Sequence, residues 1–401
     1  MLKVLVVIPY HLNRYTHGNA IRIKQMVRIL KENGVEVRLL TYDLPWIRNG
    51  DHYSYSVKME IILAAVFSRI LFNLPIFDLA CATLSPIRLF KKKLMKIVED
   101  EAIDIVQVEN LWPLPPILDS IGGALPIIVT LHDVYSDRYS ELIEYTSRCP
   151  KVLSNRLVKI VNRIELEYLN KVNIAVCLTE ADRARYANMG VEEDKLKVIP
   201  GAVDVEKIKP QKPNPILRRK HGLRREDLIL FFVGSMMYQN KKAIDDMARY
   251  ILPKLLKRSS NIKLLIAGSI SKYAEKRGYS KNLPIIPLGY VEDLNQYYAI
   301  ADIVVIPTLL GTGFKTKTLE AMAAGKPVVC TRKAVRGMGV LNWKNIVVCE
   351  DFREMIDAIL FLRERREMIE RIGKNARITA EKYDLCQVFK EYLTLYENLK
   401  A

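Results

Sequence analysis

Short apolar runs of four to six residues recur along the whole chain, separated by stretches in which apolar residues return with a helical period. In the first half they are Lys3 to Ile8, Glu36 to Thr41, Asp104 to Val108, Ile127 to Leu131 and Asn173 to Leu178. The second half repeats the pattern with Leu228 to Val233, Ile262 to Ala267, Ile285 to Leu288, Ile303 to Ile306 and Pro327 to Cys330. Strands apolar at nearly every position bury both faces, and helices cover both faces of a sheet when they carry the chain between parallel strands. Two doubly wound α/β domains follow, 1–200 and 201–384, with the proline- and lysine-rich segment Pro200 to Pro215 between them. A helix beginning after Gly18 should end at Asn33-Gly34, and another should be capped by Thr179 with Asp182.

At 401 residues and 50% hydrophobic content, the chain is long enough for two or three real cores, and no short internal repeat suggests a solenoid. The net charge of +17 is uneven: residues 1–200 hold 26 Lys and Arg against 23 Asp and Glu, and residues 201–401 hold 36 against 22. Such a field favours polyanionic ligands without choosing among them. A nucleic-acid module is not indicated, because the aromatic platforms and reading helices of such modules are missing. The six cysteines form no CxxC pair, which speaks against a zinc site or disulfide framework and for a reducing cytoplasm. The longest apolar stretch, Met59 to Ala82, is broken by Arg69, Asn73, Pro75 and Asp78, so a soluble or peripheral protein is expected.

The densest chemistry lies in Gly311 to Val329, GTGFKTKTLEAMAAGKPVV, directly after one of the apolar runs. Gly311 and Gly313 let backbone N–H groups approach a ligand, and the helix start behind them carries partial positive charge suited to phosphate. Lys315 and Lys317 add full charges, and Glu320, one turn further in, suits a pair of sugar hydroxyls. A glycine-opened helix with solvated lysines is the alternative reading of the same residues.

Five segments in order and spacing carry a resemblance: IPGAVD (Ile199 to Asp204), FFVGSM (Phe231 to Met236), KLLIAGS (Lys263 to Ser269), LGYVEDLNQYYAIADIVVIP (Leu288 to Pro307) and Gly311 to Val329. Together they resemble the donor domain of GT4-type, group 1 glycosyltransferases over roughly residues 190 to 385, and PYHLNRYTHGNAIR and TLHD extend it more loosely to the first half. The resemblance implies a GT-B fold, two Rossmann-like domains facing each other across a cleft. The first would bind acceptor and the second a nucleoside diphosphate sugar, with the C-terminal helix 385–401 crossing back so that the cleft can close. The implied reaction is retaining transfer of a sugar to an acceptor hydroxyl, with neither cofactor nor metal, since no DxD motif is placed to hold one.

The same resemblance assigns residues. Glu320 matches the family's ribose-binding glutamate; the partner glutamate that touches the sugar would fall at Thr312, where this chain departs. Leu319 belongs to the donor motif beside Glu320. After Val233 many members have Gly-Arg, but this chain has Gly234 and Ser235, so Lys241 or Lys242 must join Lys315 and Lys317 at the phosphates. Gly18 matches a glycine near the donor phosphates, and His132 a histidine facing the transferred sugar; a plain turn and a structural histidine remain the alternatives, with Asp133 second to His132. His132, Lys317 and Lys242 are thus the expected catalytic residues. The basic amphipathic stretch 59–97, with Lys91, Lys92 and Lys93, either rests on an anionic membrane or packs on the sheet. Membrane contact would suit a lipid-linked or cell-envelope glycan acceptor at the cytoplasmic face. Two rivals stand: a degenerate relative that binds a nucleotide or partner without catalysis, and a nucleotide-sugar epimerase of the same fold.

Overall fold

The computed structural model describes residues 1–9, 18–43, 52–56, 87–146 and 150–400. Residues 59–86 of the amphipathic stretch, including all of Met59 to Ala82, lie outside them; the remainder falls in the helix Ile87–Glu101. Two compact units form: Met1–Pro200 with Val388–Ala401, and Gly201–Gln387. The C-terminal helix Leu385–Lys400 therefore belongs to the first unit over most of its length.

In the first unit the strands are β1 (Lys3–Ile8), β2 (Glu36–Asp43), β3 (His52–Ser56), β4 (Ile105–Glu109), β5 (Ile127–Leu131), β6 (Ile174–Cys177) and β7 (Leu196–Val198). They lie parallel in the order β3-β2-β1-β4-β5-β6-β7. The second unit has β8 (Leu228–Val233), β9 (Ile262–Ala267), β10 (Ile285–Gly289), β11 (Ile303–Ile306), β12 (Val328–Thr331) and β13 (Val347–Cys349). Its order, β10-β9-β8-β11-β12-β13, is again wholly parallel. Both sheets are doubly wound, and strand order reverses between β1 and β4 in one and between β8 and β11 in the other. Loops at the carboxyl ends of strands beside such a reversal are where ligands bind.

Burial explains the apolar runs. Along β8, Leu228, Leu230 and Phe232 enter one core while Ile229 and Phe231 enter the core on the opposite face. β11 does the same, with Ile303 and Val305 on one side and Val304 and Ile306 on the other. Each fully buried side chain of this size contributes about 1.5–3 kcal/mol, so these central strands anchor the unit and hold their carboxyl-end loops rigidly. Local signals act as expected: Gly34 adopts φ 82° after the helix Gly18–Glu32, and the Thr179 hydroxyl accepts from the Asp182 N–H at 3.0 Å. No described helix is long and apolar enough to cross a membrane.

Candidate functional site

The turn after β11 leads into the helix Thr316–Ala323. Gly311 has φ 97°, a conformation L side chains rarely adopt, and a Cβ there would lie 3.3 Å from Lys315 Nζ and 3.5 Å from Gln239 Cγ. The glycine therefore lets the turn fold against both its own lysine and the segment after β8. Lys315 Nζ donates to the carbonyls of Gly311 (3.0 Å) and Gly313 (2.5 Å). Lys315 thus braces the turn as well as charging it. Beside it the Arg336 guanidinium donates to the Thr312 carbonyl at 3.1 Å.

The strand reversal brings the segment after β8 alongside this turn. Asn240 is buried; its Nδ2 donates to the Ser235 carbonyl at 2.9 Å, and its Oδ1 accepts from Lys317 Nζ at 2.5 Å. Only glycine fits at 234, where a Cβ would stand 2.8 Å from Asn240 Nδ2. Lys317 also lies over the Phe232 ring, 4.5 Å from its centroid. Burial, reinforced by the charge of Lys315 and opposed by Glu320, pushes the Lys317 ammonium down to about 7. The same burial pushes the Glu320 carboxyl up to about 7, against the pull of Lys317 and Lys207. Lys207 is brought near by Arg377, which donates to the carbonyls of Val205, Ile208 and Ala323 and so ties its segment to the end of the Glu320 helix. Among the described residues, no hydrogen bond reaches the Glu320 carboxyl. A cation and a carboxylate, both only half-exposed and weakly neutralised, stand at the reversal point with acceptor and donor capacity to offer.

The other expected phosphate cations point elsewhere. Lys242 pairs with Asp246 one turn on, and Lys241 lies 5.7 Å from the centre of the Tyr273 ring. One and two positions beyond Asn240, they project at about 100° and 200° around the helix from it. Neither joins Lys315 and Lys317 here. Ser235 is half-buried with its carbonyl held by Asn240, and Leu319 is fully buried in the core beneath the turn.

In the first unit Gly18 is half-buried and opens the helix Gly18–Glu32. His132, at the end of β5, is 2% exposed and its Nε2 lies 2.9 Å from Glu109 Oε2. Glu109 ends β4, accepts from Gln107 Nε2 at 3.1 Å and faces Arg22 Nη1 at 3.8 Å. Arg22 in turn donates to the Tyr392 hydroxyl at 3.0 Å and stacks against Phe389 and Tyr392 of the C-terminal helix. Asp133, beside His132, pairs with Arg138 at 3.3 Å.

The family model described as Glycosyltransferase Family 4 matches residues 17–207, and that described as Glycosyl transferases group 1 matches residues 227–365. The chain belongs to the group 1 glycosyltransferases. It is 21% identical over 329 residues to the alpha-monoglucosyldiacylglycerol synthase of Acholeplasma laidlawii, covering 78% of this chain and 79% of that one. It is 24% identical over 313 residues to the Escherichia coli UDP-Gal:alpha-D-GlcNAc-diphosphoundecaprenol alpha-1,3-galactosyltransferase, covering 75% and 73%. Among solved structures, sucrose-phosphate synthase from Thermosynechococcus elongatus superposes with TM-score 0.73 at 14% identity over 100% of this chain and 99% of that one. Anabaena HepE, in complex with UDP and glucose, superposes with TM-score 0.65 at 14% identity over the full length of both. At such identities the likeness shows the fold, GT-B.

In this glycosyltransferase the residues that sequence reasoning missed are Asn240, Arg336, Glu109, Arg22 and Tyr392. One had a signal: Gln107 and Glu109 alternate with valines in IVQVE, putting two polar side chains on one face of a buried strand. Asn240→Leu should lower stability by about 1–3 kcal/mol, measured by thermal unfolding, because Lys317 and the Ser235 carbonyl both lose a buried partner. An unchanged melting temperature would mean that Asn240 braces neither group.

Proposed function

We propose that the chain is a retaining glycosyltransferase that moves a sugar from a nucleoside diphosphate sugar to the hydroxyl of a lipid-linked or cell-envelope glycan acceptor. The observation that carries this reading is the gathering of Lys315, Lys317 and Glu320 around a glycine turn at the β8/β11 reversal. A departing nucleoside diphosphate needs charge stabilisation more than a base, and fixed cations with backbone N–H groups at a helix start supply it without demanding a metal. Lys317 contacts the diphosphate, Lys315 and the Gly311–Gly313 turn shape its seat, and Glu320 takes the ribose hydroxyls. Gly234 and Ser235 line the same turn. Arg336 beside Thr312 puts a cation where the usual sugar-binding glutamate is missing. For the first unit, the family resemblance assigns His132 to the transferred sugar and Gly18 to the donor phosphates.

Retention is supported by product names: the two relatives above are named for alpha linkages, and an α-linked UDP-sugar gives an α product when configuration is kept. The same names, diacylglycerol and diphosphoundecaprenol, support a lipid acceptor. Contact through 59–97 with an anionic membrane at its cytoplasmic face fits such an acceptor, and Lys91 and Lys92 are exposed on the helix Ile87–Glu101. The comparisons do not favour a binding-only protein or an epimerase.

Thermal unfolding with nucleotides tests the reading. UDP should raise the melting temperature clearly more than UMP, with and without EDTA, because a ligand that binds only the folded state stabilises it by mass action and the lysines act on the second phosphate. Equal shifts with UDP and UMP would remove the diphosphate seat. If no nucleoside diphosphate binds and no nucleoside diphosphate sugar is hydrolysed, the enzyme reading fails.

A further inference from the structure

In the first unit a buried polar network spans β4, β5, the helix Gly18–Glu32 and the C-terminal helix, and its logic concerns one proton. Glu109 is fully buried. Burial alone would raise its carboxyl, but the hydrogen bonds of His132 and Gln107, with the charge of Arg22, hold it below the usual carboxylate range. An ionised carboxylate only accepts hydrogen bonds. Oε1 takes the Gln107 Nε2 hydrogen at 3.1 Å, and Oε2 faces His132 Nε2 at 2.9 Å and Arg22 Nη1 at 3.8 Å. His132 must therefore carry a hydrogen on Nε2, and in the neutral ring that leaves Nδ1 bare.

The other groups facing Glu109 keep it charged. Arg22 is 2% exposed and always protonated; Tyr392 and Tyr396 are buried, and burial raises both hydroxyls, so neither brings a competing negative charge. Arg22 is fixed by its bond to the Tyr392 hydroxyl at 3.0 Å, which also meets Thr130 Oγ1 at 2.9 Å. Nδ1 of His132 is buried and has no hydrogen-bond partner among the described residues. A buried acceptor left open at the carboxyl end of β5, on a doubly wound sheet, is a place for a ligand's hydroxyl.

We propose that Glu109 is a positioning residue for His132: it fixes the imidazole in the Nε2–H form, so that Nδ1 is the acceptor for a hydroxyl of the transferred sugar. The sugar contact rests on the reading above that His132 faces the sugar; the ring's protonation does not. Glu109 touches no substrate and acts through the histidine alone.

Long-range proton–nitrogen NMR on the full-length protein, labelled at histidine nitrogens and read at about pH 8, tests the first half. Five histidines are present, and His132→Gln removes the signal to be assigned. The expected pattern is protonated Nε2 and bare Nδ1; the reverse pattern in the wild type overturns the proposal. Glu109→Gln, whose amide can also donate, should admit the Nδ1–H form and lower kcat for UDP-glucose hydrolysis, or that of whichever nucleoside diphosphate hexose the wild type hydrolyses, about tenfold. Glu109→Asp, still acceptor-only, should keep the Nε2–H form and recover part of the rate. Glu109→Gln leaves the buried Arg22 charge without its carboxylate and should lower the melting temperature, but UDP affinity should be nearly unchanged; an equal loss in it, or an unchanged kcat, overturns the positioning role. If the wild type hydrolyses no donor, the functional reading falls and the sugar contact with it, while the NMR result still decides the tautomer.

Discussion

Lys317→Met should lower kcat/KM for the sugar donor by about 10²–10³-fold while leaving the melting temperature nearly unchanged. Lys317 reaches across from the helix Thr316–Ala323 to Asn240 with its stem over Phe232, so its charge sits where water screens it poorly. A charge developing on a leaving diphosphate gains more from such a fixed cation than from a solvated one. Methionine keeps the apolar stem on the ring and removes only the charge. Two stability effects then oppose each other. Losing a desolvated ammonium relieves a burial cost, while Asn240 Oδ1 loses its donor, which costs about 1–3 kcal/mol. The sign of the pH effect follows from the shift. With the ammonium at about 7 in the folded protein and 10.5 as its ordinary value, Lys317 detracts from stability fully below about pH 7, and the penalty disappears as pH rises towards 10.5. UDP affinity runs the other way, falling above about pH 7 as the cation is lost, and that limb should be missing in Lys317→Met. A variant that binds UDP and turns over donor like the wild type would remove Lys317 from the phosphates.

The fold was legible because its central strands are apolar on both faces. Leu228–Val233, Ile262–Ala267 and Ile303–Ile306 are so continuous that their ends could be read directly, and the helical segments between them left parallel sheets as the answer. Three strands escaped that logic. Leu196–Val198 and Val347–Cys349 are three residues long, too short for any period, and His52–Ser56 is an edge strand of mostly polar residues. The glycine turn was equally legible, since Gly311, Lys315 and Lys317 lie within seven residues. What could not be read was how side chains choose partners. Lys241 and Lys242 drew notice as charges, yet Asn240 turns towards Lys317, 77 residues on in sequence, while Lys242 takes the nearer Asp246. Arg22 and Tyr392 are 370 residues apart, and only the packing of the C-terminal helix in the first unit brings them together.

Glu320→Ala should weaken UDP binding about 10²-fold, and the loss should concern the ribose rather than the phosphates. A carboxylate that accepts from two hydroxyls makes two charge-assisted hydrogen bonds, each worth about 1.5–3 kcal/mol, part of which water returns in the variant. The site is built for this exchange: the carboxyl is pushed up to about 7 by burial, with Lys317 and Lys207 opposing, and no described group hydrogen-bonds it, so the ligand supplies what the protein withholds. Because the folded value stands above the ordinary 4.5, the protonated carboxyl contributes stability in the free protein that is fully present below about pH 4.5 and lost as pH rises through about 7. UDP selects the charged form instead, so affinity should fall as pH drops below about 7. Together with the alkaline limb of Lys317 this gives a bell centred near neutrality, and Glu320→Ala should abolish its acidic side alone. Comparing UDP with its 2′-deoxy and 3′-deoxy forms in wild type and variant closes the argument. The hydroxyl-deleted nucleotides should lose affinity in the wild type and almost none in Glu320→Ala, whereas equal losses in both proteins would place the ribose against some other group.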